Sequence, residues 1–278
     1  DEAQRSRIVS WREGLGLVGV LLASVLPLAI GLPWTVAVFS ALLALAWWAW
    51  TRARAPQPRT DRHPASLWLP FSRPAFRRLL AVFVLNGIAS AVPATLVLFF
   101  VQDRLQAPRN IEPAFLGSYF LCAALSIPLW LKVVGRFGLA RSWLAGMALA
   151  IAVFVWATQL GAGDVLPFIV VCALSGVALG TDLALPGAML AGVIADAGDR
   201  GQAEGAYFGW WNFATKLNLA LAAGLALPLL GLFGYTPGAR GEEALTALVV
   251  AYCLLPCVLK LLAALALYLT IIRHKASA

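Results

Sequence analysis

The stretch VLPFIVVCALSGVALGTDLALPGAMLAGVI at 165–194 contains a single charged residue, Asp182. An α-helix rises about 1.5 Å per residue, so about 20 apolar residues cross the ~30 Å hydrocarbon core of a bilayer. The stretch is therefore long enough to span a membrane and to extend beyond it. Pro186 is expected to kink this helix or to mark its extension toward the cytoplasm.

Comparable apolar stretches fill most of the chain. Hydrophobic residues make up 61% of the sequence and charged residues 12%, whereas a soluble domain carries roughly 25% charged residues. Such a chain cannot cover a water-facing surface of ordinary size. We predict an all-α polytopic membrane protein with about eight transmembrane helices, at 15–32, 34–50, 79–101, 115–134, 143–160, 165–194, 206–232 and 245–272.

The basic residues predict the orientation, because Lys and Arg beside a span are retained on the cytoplasmic side. Most of the 21 basic residues lie in segments on the same side as the start of the chain, and only Arg104, Arg109 and Arg240 lie in segments on the other side. Both ends are therefore expected in the cytoplasm, as in a protein of the bacterial inner membrane. The net charge of +8 is spread over several short loops, which does not favour a nucleic-acid partner.

One substantial loop, 51–78, separates the helices of 1–50 from those of 79–278. It is rich in Pro and Arg and contains His63. Such a composition favours an extended, mobile connector whose cations contact anionic lipid headgroups. A solvated connector is the preferred interpretation of this loop, and a regulatory site is the alternative.

The chain offers little chemistry for catalysis. Its four cysteines lie in apolar segments without His or carboxylate at metal-ligand spacing, and they are expected to be buried and reduced; they are Cys122, Cys172, Cys253 and Cys257. No nucleophile, zinc or nucleotide motif is present in the sequence. We therefore expect no enzyme activity, no metal and no cofactor.

Polar residues within the predicted spans are the candidate functional residues, because each charge at membrane depth costs about 3 kcal/mol or more. Lys216 lies near the middle of its helix, with Asn212 four residues earlier on the same face and Thr215 adjacent. Tyr207 and Trp211 form a neighbouring stripe. Donors, acceptors and aromatic faces of this kind suit a hydroxylated solute. The alternative is a structural lysine bonded to backbone carbonyls of another helix.

Asp182 and Lys260 are the other charges at membrane depth. Asp182 is expected either to pair with Lys216 or Lys260, or to lie nearer the cytoplasmic water. Lys260 has only apolar neighbours in sequence, so its partner must come from another helix. Asn86 and Ser90 lie one turn apart on one helix face. Small polar stripes of this kind indicate close helix packing or a solute path.

Several segments resemble the glycoside-pentoside-hexuronide:cation symporters, the melibiose-permease branch of the major facilitator superfamily. The resemblance covers essentially the whole chain, and its segments occur in the family's order. They are Arg5–Arg12 (RSRIVSWR), Leu85–Thr95 (LNGIASAVPAT), Gly135–Arg141 (GRFGLAR), Tyr207–Trp211 (YFGWW) leading to Lys216, and Leu232–Gly238 (LFGYTPG).

The resemblance implies a partial major facilitator fold. It aligns the chain with the last eight of twelve family helices: two helices of the N-terminal bundle, the central cytoplasmic loop and a six-helix C-terminal bundle. The first four helices, which carry most of the acidic coupling-ion ligands in the family, would then be a missing partner, and Asp1 in place of Met suggests a longer polypeptide. Of the family's binding residues only Lys216 carries over. Gly192 and Ala195 occupy the positions at which the family has two carboxylates. Asp196 lies one position after the second of them.

The function implied is a fragment of a secondary active transporter that couples uptake of a sugar-like solute to H⁺ or Na⁺ by alternating access, with the lipid bilayer and the solute as partners. The eight-helix chain by itself is not expected to transport. Two alternatives remain: transport of a lysophospholipid or another amphiphile, and a membrane interaction protein that transports nothing.

Overall fold

A computed structural model of the chain describes residues 2–52 and 66–273, which form helices joined by short turns. Within these residues, seven helical stretches are long and apolar enough to cross a membrane. This confirms the prediction of an all-helical polytopic protein. The stretches are Ala29–Arg52, Pro74–Arg104, Arg109–Phe137, Leu139–Ala157, Val165–Asp196, Glu204–Leu232 and Glu242–Ile272.

The first helical segment, α1 (Glu2–Arg52), is divided at Gly31, whose backbone has φ 77° and ψ 162°. Glycine accommodates this left-handed φ without the steric cost of a Cβ atom, and Pro27 and Pro33 flank the break. The two arms correspond to the expected spans 15–32 and 34–50. The second arm lies within the stretch Ala29–Arg52, one of the seven.

The remaining helices follow closely on one another. They are α2 (Leu69–Ser72), α3 (Pro74–Phe99), α4 (Glu112–Phe137), α5 (Leu139–Ala157), α6 (Val165–Asp196) and α7 (Glu204–Leu232). A π-helical turn at Phe100–Arg104 follows α3, and a 3₁₀ turn at Arg109–Ile111 precedes α4. The last membrane helix consists of α8 (Glu242–Val249), a π-helical turn at Val250–Leu254, α9 (Leu255–Leu267) and a second π-helical turn at Tyr268–Ile272. The helix α6 continues through Pro186 to Asp196. His63 and most of the connecting loop lie outside the described residues.

The α6 helix is the centre of the packing. It contacts α1, α4 and α5, whereas α3 packs against α7 and α9. The buried apolar side chains form two clusters, one around Phe100, Phe168 and Tyr252 and the other around Phe76 and Leu185. On α3, α6 and the last membrane helix the two clusters are separated in sequence by the positions of Asn86, Asp182 and Lys260. A polar layer therefore lies between two apolar layers.

Glycines allow α4 and α6 to approach each other closely. A Cβ atom on Gly176 would overlap the backbone oxygen of Tyr119, and one on Gly180 would overlap the hydroxyl of Ser126. The Ser126 hydroxyl also lies 3.4 Å from the carbonyl of Val177. The small Ser126 side chain on α4 thus takes part in close helix packing at this point, as small residues commonly do in membranes.

We expect Gly176→Ala to destabilise the protein by about 1–3 kcal/mol, because its new methyl group meets backbone that cannot rotate away. Thermal unfolding of the purified protein in detergent would measure the effect. Gly117→Ala on α4 is the matched control, since nothing lies within 4 Å of a Cβ atom at that position. Equal melting temperatures for the two variants would contradict the close α4–α6 contact.

Candidate functional site

An ion pair forms the centre of the polar layer. The ammonium of Lys260 on α9 lies 2.9 Å from Oδ2 of Asp182 on α6. Both side chains are nearly buried, with 6% and 14% of their surface exposed. The sequence left open whether Asp182 pairs with Lys216 or with Lys260, and in the structure it pairs with Lys260.

Two neutral side chains donate to the same oxygen of Asp182. The indole Nε1 of Trp143 on α5 donates to Oδ1 over 2.9 Å, and the amide Nδ2 of Asn86 on α3 donates to Oδ1 over 3.0 Å. The Ser90 hydroxyl lies 3.1 Å from the other oxygen, Oδ2, where Lys260 also donates. Each carboxylate oxygen therefore has two hydrogen-bond donors.

Asn86 joins the acid to the base. Its Oδ1 accepts a hydrogen bond of 2.9 Å from Lys260, while its Nδ2 donates to Asp182. A side-chain amide can do both, because it carries an acceptor oxygen and a donor nitrogen. Four helices, α3, α5, α6 and α9, thus meet in one network, which we call the Asp182 network: Asn86, Ser90, Trp143, Asp182 and Lys260.

A buried ion pair of this kind is weak evidence for stability alone. Desolvating two charges costs several kcal/mol per ion, and apolar residues of the same volume often serve as well. Within a membrane the cost of ionisable residues makes them markers of function. The Asp182 network is accordingly the best candidate site in the described part of the chain.

A cavity of about 200 Å³ adjoins the network. Its wall is mostly apolar and aromatic, and the polar groups Ser90, Asp182 and Lys260 lie together in it. Lining residues come from α3, α4, α5, α6 and the last membrane helix. A concave apolar site with a few convergent polar groups is the usual form of a small-molecule binding site. The aromatic lining residues are Phe115, Tyr119, Phe120, Phe154 and Tyr252.

The candidate residues on α7 lie apart from this cavity. Asn212, Thr215 and Lys216 are exposed, and their described hydrogen bonds are local: Asn212 donates to the carbonyl of Phe208, and Thr215 donates to that of Trp211. Lys216 makes no described contact with Asp182. These three residues therefore form a polar patch on the exposed face of α7.

The side chains of Trp211 and Tyr207 are not part of this exposed patch. Trp211 is buried and stacks on Phe83 of α3, with ring centroids 3.8 Å apart. The hydroxyl of Tyr207 donates to Asp199 over 2.6 Å, in the turn between α6 and α7. The predicted set of five residues on α7 is thus divided among three surroundings.

Tyr207 belongs to a second cluster that the sequence did not suggest. Arg73, just before α3, donates to both carboxylate oxygens of Asp199, over 3.0 and 2.7 Å. The Arg73 guanidinium holds the pKa of Asp199 below its usual range, the Tyr207 hydroxyl adds to this, and burial opposes it. The bidentate pair fastens the start of α3 to the α6–α7 turn.

Sequence patterns identified part of the Asp182 network. Asp182, Lys260, Asn86 and Ser90 all stood out as polar residues in apolar spans. Trp143 did not, because a tryptophan at the start of a predicted span is typical of an anchor at the membrane–water interface. The signal that could have identified Trp143 is its indole N–H, which requires a hydrogen-bond partner when the side chain is buried.

Comparison with known proteins agrees with this architecture. A family model described as MFS/sugar transport protein matches residues 1–274, and no curated protein matches the chain significantly. The chain therefore belongs to this sugar-transport family of the major facilitator superfamily, which confirms the resemblance to the glycoside-pentoside-hexuronide:cation symporters. It is a multi-pass membrane protein of a transporter family and not an enzyme.

A double-mutant cycle tests the ion pair. Asp182→Asn or Lys260→Met alone leaves one buried charge without its partner, which costs about 3–5 kcal/mol. The double variant leaves no charge, so its destabilisation should be smaller than the sum of the two. Thermal unfolding in detergent measures all four proteins. Lys216→Met combined with Asp182→Asn is the control and should be additive; additivity for both combinations would contradict the pairing.

The pH dependence of stability tests the Arg73–Asp199 contact. Because the pKa of Asp199 is lowered in the folded protein, its contribution is present above the ordinary range of an aspartic acid and is lost as the pH falls through the folded value. Asp199→Asn should melt at a lower temperature than the unaltered protein at neutral pH, with a gap that closes in acid. Asp196→Asn, which alters an exposed carboxylate of the same region, should show no such gap. A gap for Asp199→Asn that is independent of pH would contradict the contact.

Proposed function

We propose that the protein takes part in secondary active transport of a sugar-like solute, coupled to H⁺ or Na⁺, by alternating access. The observation that carries the proposal is the Asp182 network beside the 200 Å³ cavity. Charged residues at membrane depth commonly mark the path of a substrate or an ion. The sugar-transport family to which the chain belongs supplies the solute class.

Two surfaces are the proposed contacts of the solute. One is the polar end of the cavity, where Ser90, Asp182 and Lys260 offer donors and acceptors beside aromatic rings. The other is the exposed patch of Asn212, Thr215 and Lys216 on α7. Hydroxyl groups of a sugar bind both donors and acceptors, and aromatic faces pack on its C–H surface.

The roles of Trp211 and Tyr207 in this proposal are indirect. Trp211 stacks on Phe83 and so holds α7 against α3, which positions the patch on the opposite face. Tyr207 acts through Asp199 at the end of the helix. We place the protein in a bacterial inner membrane with both described ends in the cytoplasm, on the distribution of its basic residues.

Transport of a lysophospholipid or another amphiphile is the second candidate. The apolar and aromatic wall of the cavity favours it, because an acyl chain needs such a path. The polar network would then bind the headgroup. A membrane interaction protein without transport activity needs neither surface.

Uptake by proteoliposomes containing the complete protein tests the proposal. Under an inward H⁺ or Na⁺ gradient, we expect accumulation of at least one labelled glycoside from a panel of disaccharides and methyl glycosides. Lys216→Ala should slow its uptake about tenfold or more, since a hydrogen bond to a charged group contributes about 1.5–3 kcal/mol. Leu217→Ala, its exposed neighbour, is the matched control and should retain uptake.

The alternatives have distinct outcomes in the same assay. Uptake of labelled lysophosphatidylcholine without uptake of any glycoside would favour the amphiphile transporter. Glycoside uptake that Lys216→Ala leaves unchanged would remove the α7 patch from the solute path. Absence of any gradient-driven uptake would contradict the proposal and favour the interaction protein.

A further inference from the structure

We propose that a second cavity of the protein binds the phosphate group of an anionic phospholipid. This cavity has a volume of about 640 Å³ and shares no lining residue with the cavity beside the Asp182 network. Its wall is formed by the start of α3, the turn between α4 and α5, the end of α6 and the end of the last membrane helix. We call it the arginine cavity, because three of its lining residues are Arg73, Arg78 and Arg141.

The arginine cavity lies where membrane-spanning stretches begin and end. Two of them, Pro74–Arg104 and Leu139–Ala157, begin at the cavity, whereas Arg109–Phe137, Val165–Asp196 and Glu242–Ile272 end there. In a chain that crosses a bilayer with each successive span, these five ends lie on the same side. The cavity is therefore at one membrane–water interface, and the headgroups of phospholipids occupy this interfacial region.

Two guanidinium groups in the wall have no counter-charge. Within the described residues, Arg78 on α3 and Arg141 on α5 form no ion pair and no hydrogen bond through their side chains. Arg73 is already paired with Asp199. Asp196 is the single carboxylate among the lining residues, so the wall keeps an excess of positive charge. A guanidinium is planar and matches the oxygens of a phosphate, which it can bind through two hydrogen bonds.

The start of α5 adds to the positive potential of the cavity. Gly138 precedes the helix and provides no side-chain cap, and Leu139, Ala140 and Arg141 form its first turn. All four residues line the cavity. The backbone N–H groups of a first helical turn have no acceptor within the helix, and this end of a helix carries a partial positive charge.

The rest of the wall favours a lipid over a free phosphate ion. Much of it is apolar, and Phe137 at the end of α4 is 53% exposed. Acyl chains contact such surfaces, whereas a free phosphate ion gains nothing from them. Basic pockets between membrane helices are known to bind anionic headgroups. The apolar lining residues include Leu79, Phe137, Leu139, Met189, Val193 and Ile271.

A lipid in the arginine cavity would connect four parts of the bundle. It would contact the ends of α6 and of the last membrane helix, whose middle parts contain Asp182 and Lys260. The unfolded chain has no such cavity, so a bound lipid stabilises the folded protein. The stabilisation is expected to depend on the charge of the headgroup.

Thermal unfolding of the complete protein in detergent tests the proposal. Phosphatidylglycerol and phosphatidylcholine with the same acyl chains are added separately, and the concentration that gives half of the maximal stabilisation is measured for each. Phosphatidylglycerol should act at the lower concentration. Arg78→Gln and Arg141→Gln should each raise that concentration about fivefold, with little change for phosphatidylcholine. Asp196→Asn, which removes the opposing carboxylate, should lower it.

The comparison of two lipids within each variant separates binding from folding. An arginine with a purely structural role would lower the melting temperature without changing the preference for phosphatidylglycerol. Arg77→Gln is the matched control, since Arg77 is an exposed neighbour of Arg78 that does not line the cavity. This variant should keep the full preference.

Three results would overturn the proposal. The first is equal stabilisation of the unaltered protein by the two lipids. The second is a loss of preference in Arg77→Gln as large as in Arg78→Gln, which would indicate a general attraction to surface cations. The third is inorganic phosphate that, at matched ionic strength, abolishes the preference, which would assign the site to a soluble phosphate. The measurement involves no transported solute, so its outcome is independent of the uptake assay.

Discussion

The rest of the site depends on one constraint: a charge surrounded by helices in a membrane must be neutralised where it lies. Lys260 and Asp182 satisfy it together, and the groups around them complete the hydrogen bonding. The pair fixes the relative rotation of α6 and α9, while Asn86 and Trp143 fix α3 and α5 against them. A helix that turned by one residue would leave a charge facing apolar side chains. The network therefore specifies how four helices are arranged, whatever its net effect on stability.

The two apolar clusters hold this layer from both sides. Phe100, Phe168 and Tyr252 pack on one side of it, and Phe76 and Leu185 pack on the other. Both side chains of the ion pair are nearly buried, and both line the cavity. A change in the contacts of Asp182 therefore alters the wall of the cavity. This arrangement connects the Asp182 network to the surface that we propose for the solute.

Much of the fold was predictable from the sequence, because helix spans in a membrane follow directly from apolar length. The break between the first two spans was expected after residue 32 and lies at Gly31. Which of the two lysines pairs with Asp182 was not predictable, because the relative rotation of helices depends on packing between distant segments. Lys216 and Lys260 looked alike as charges in apolar helices. In the structure one is exposed and the other is 5% exposed and paired. Sequence periodicity located polar residues, but it did not reveal which faces met.

Solute protection of a cysteine in the cavity tests the central claim, that the cavity beside the Asp182 network is part of a solute path. Ala94 lines the cavity and is exposed, so Ala94→Cys, in a variant without the four native cysteines, offers a thiol there. The account predicts that the solute transported by the protein slows alkylation of this cysteine by a maleimide in a saturable manner. Alkylation at the same rate with and without saturating solute would contradict it.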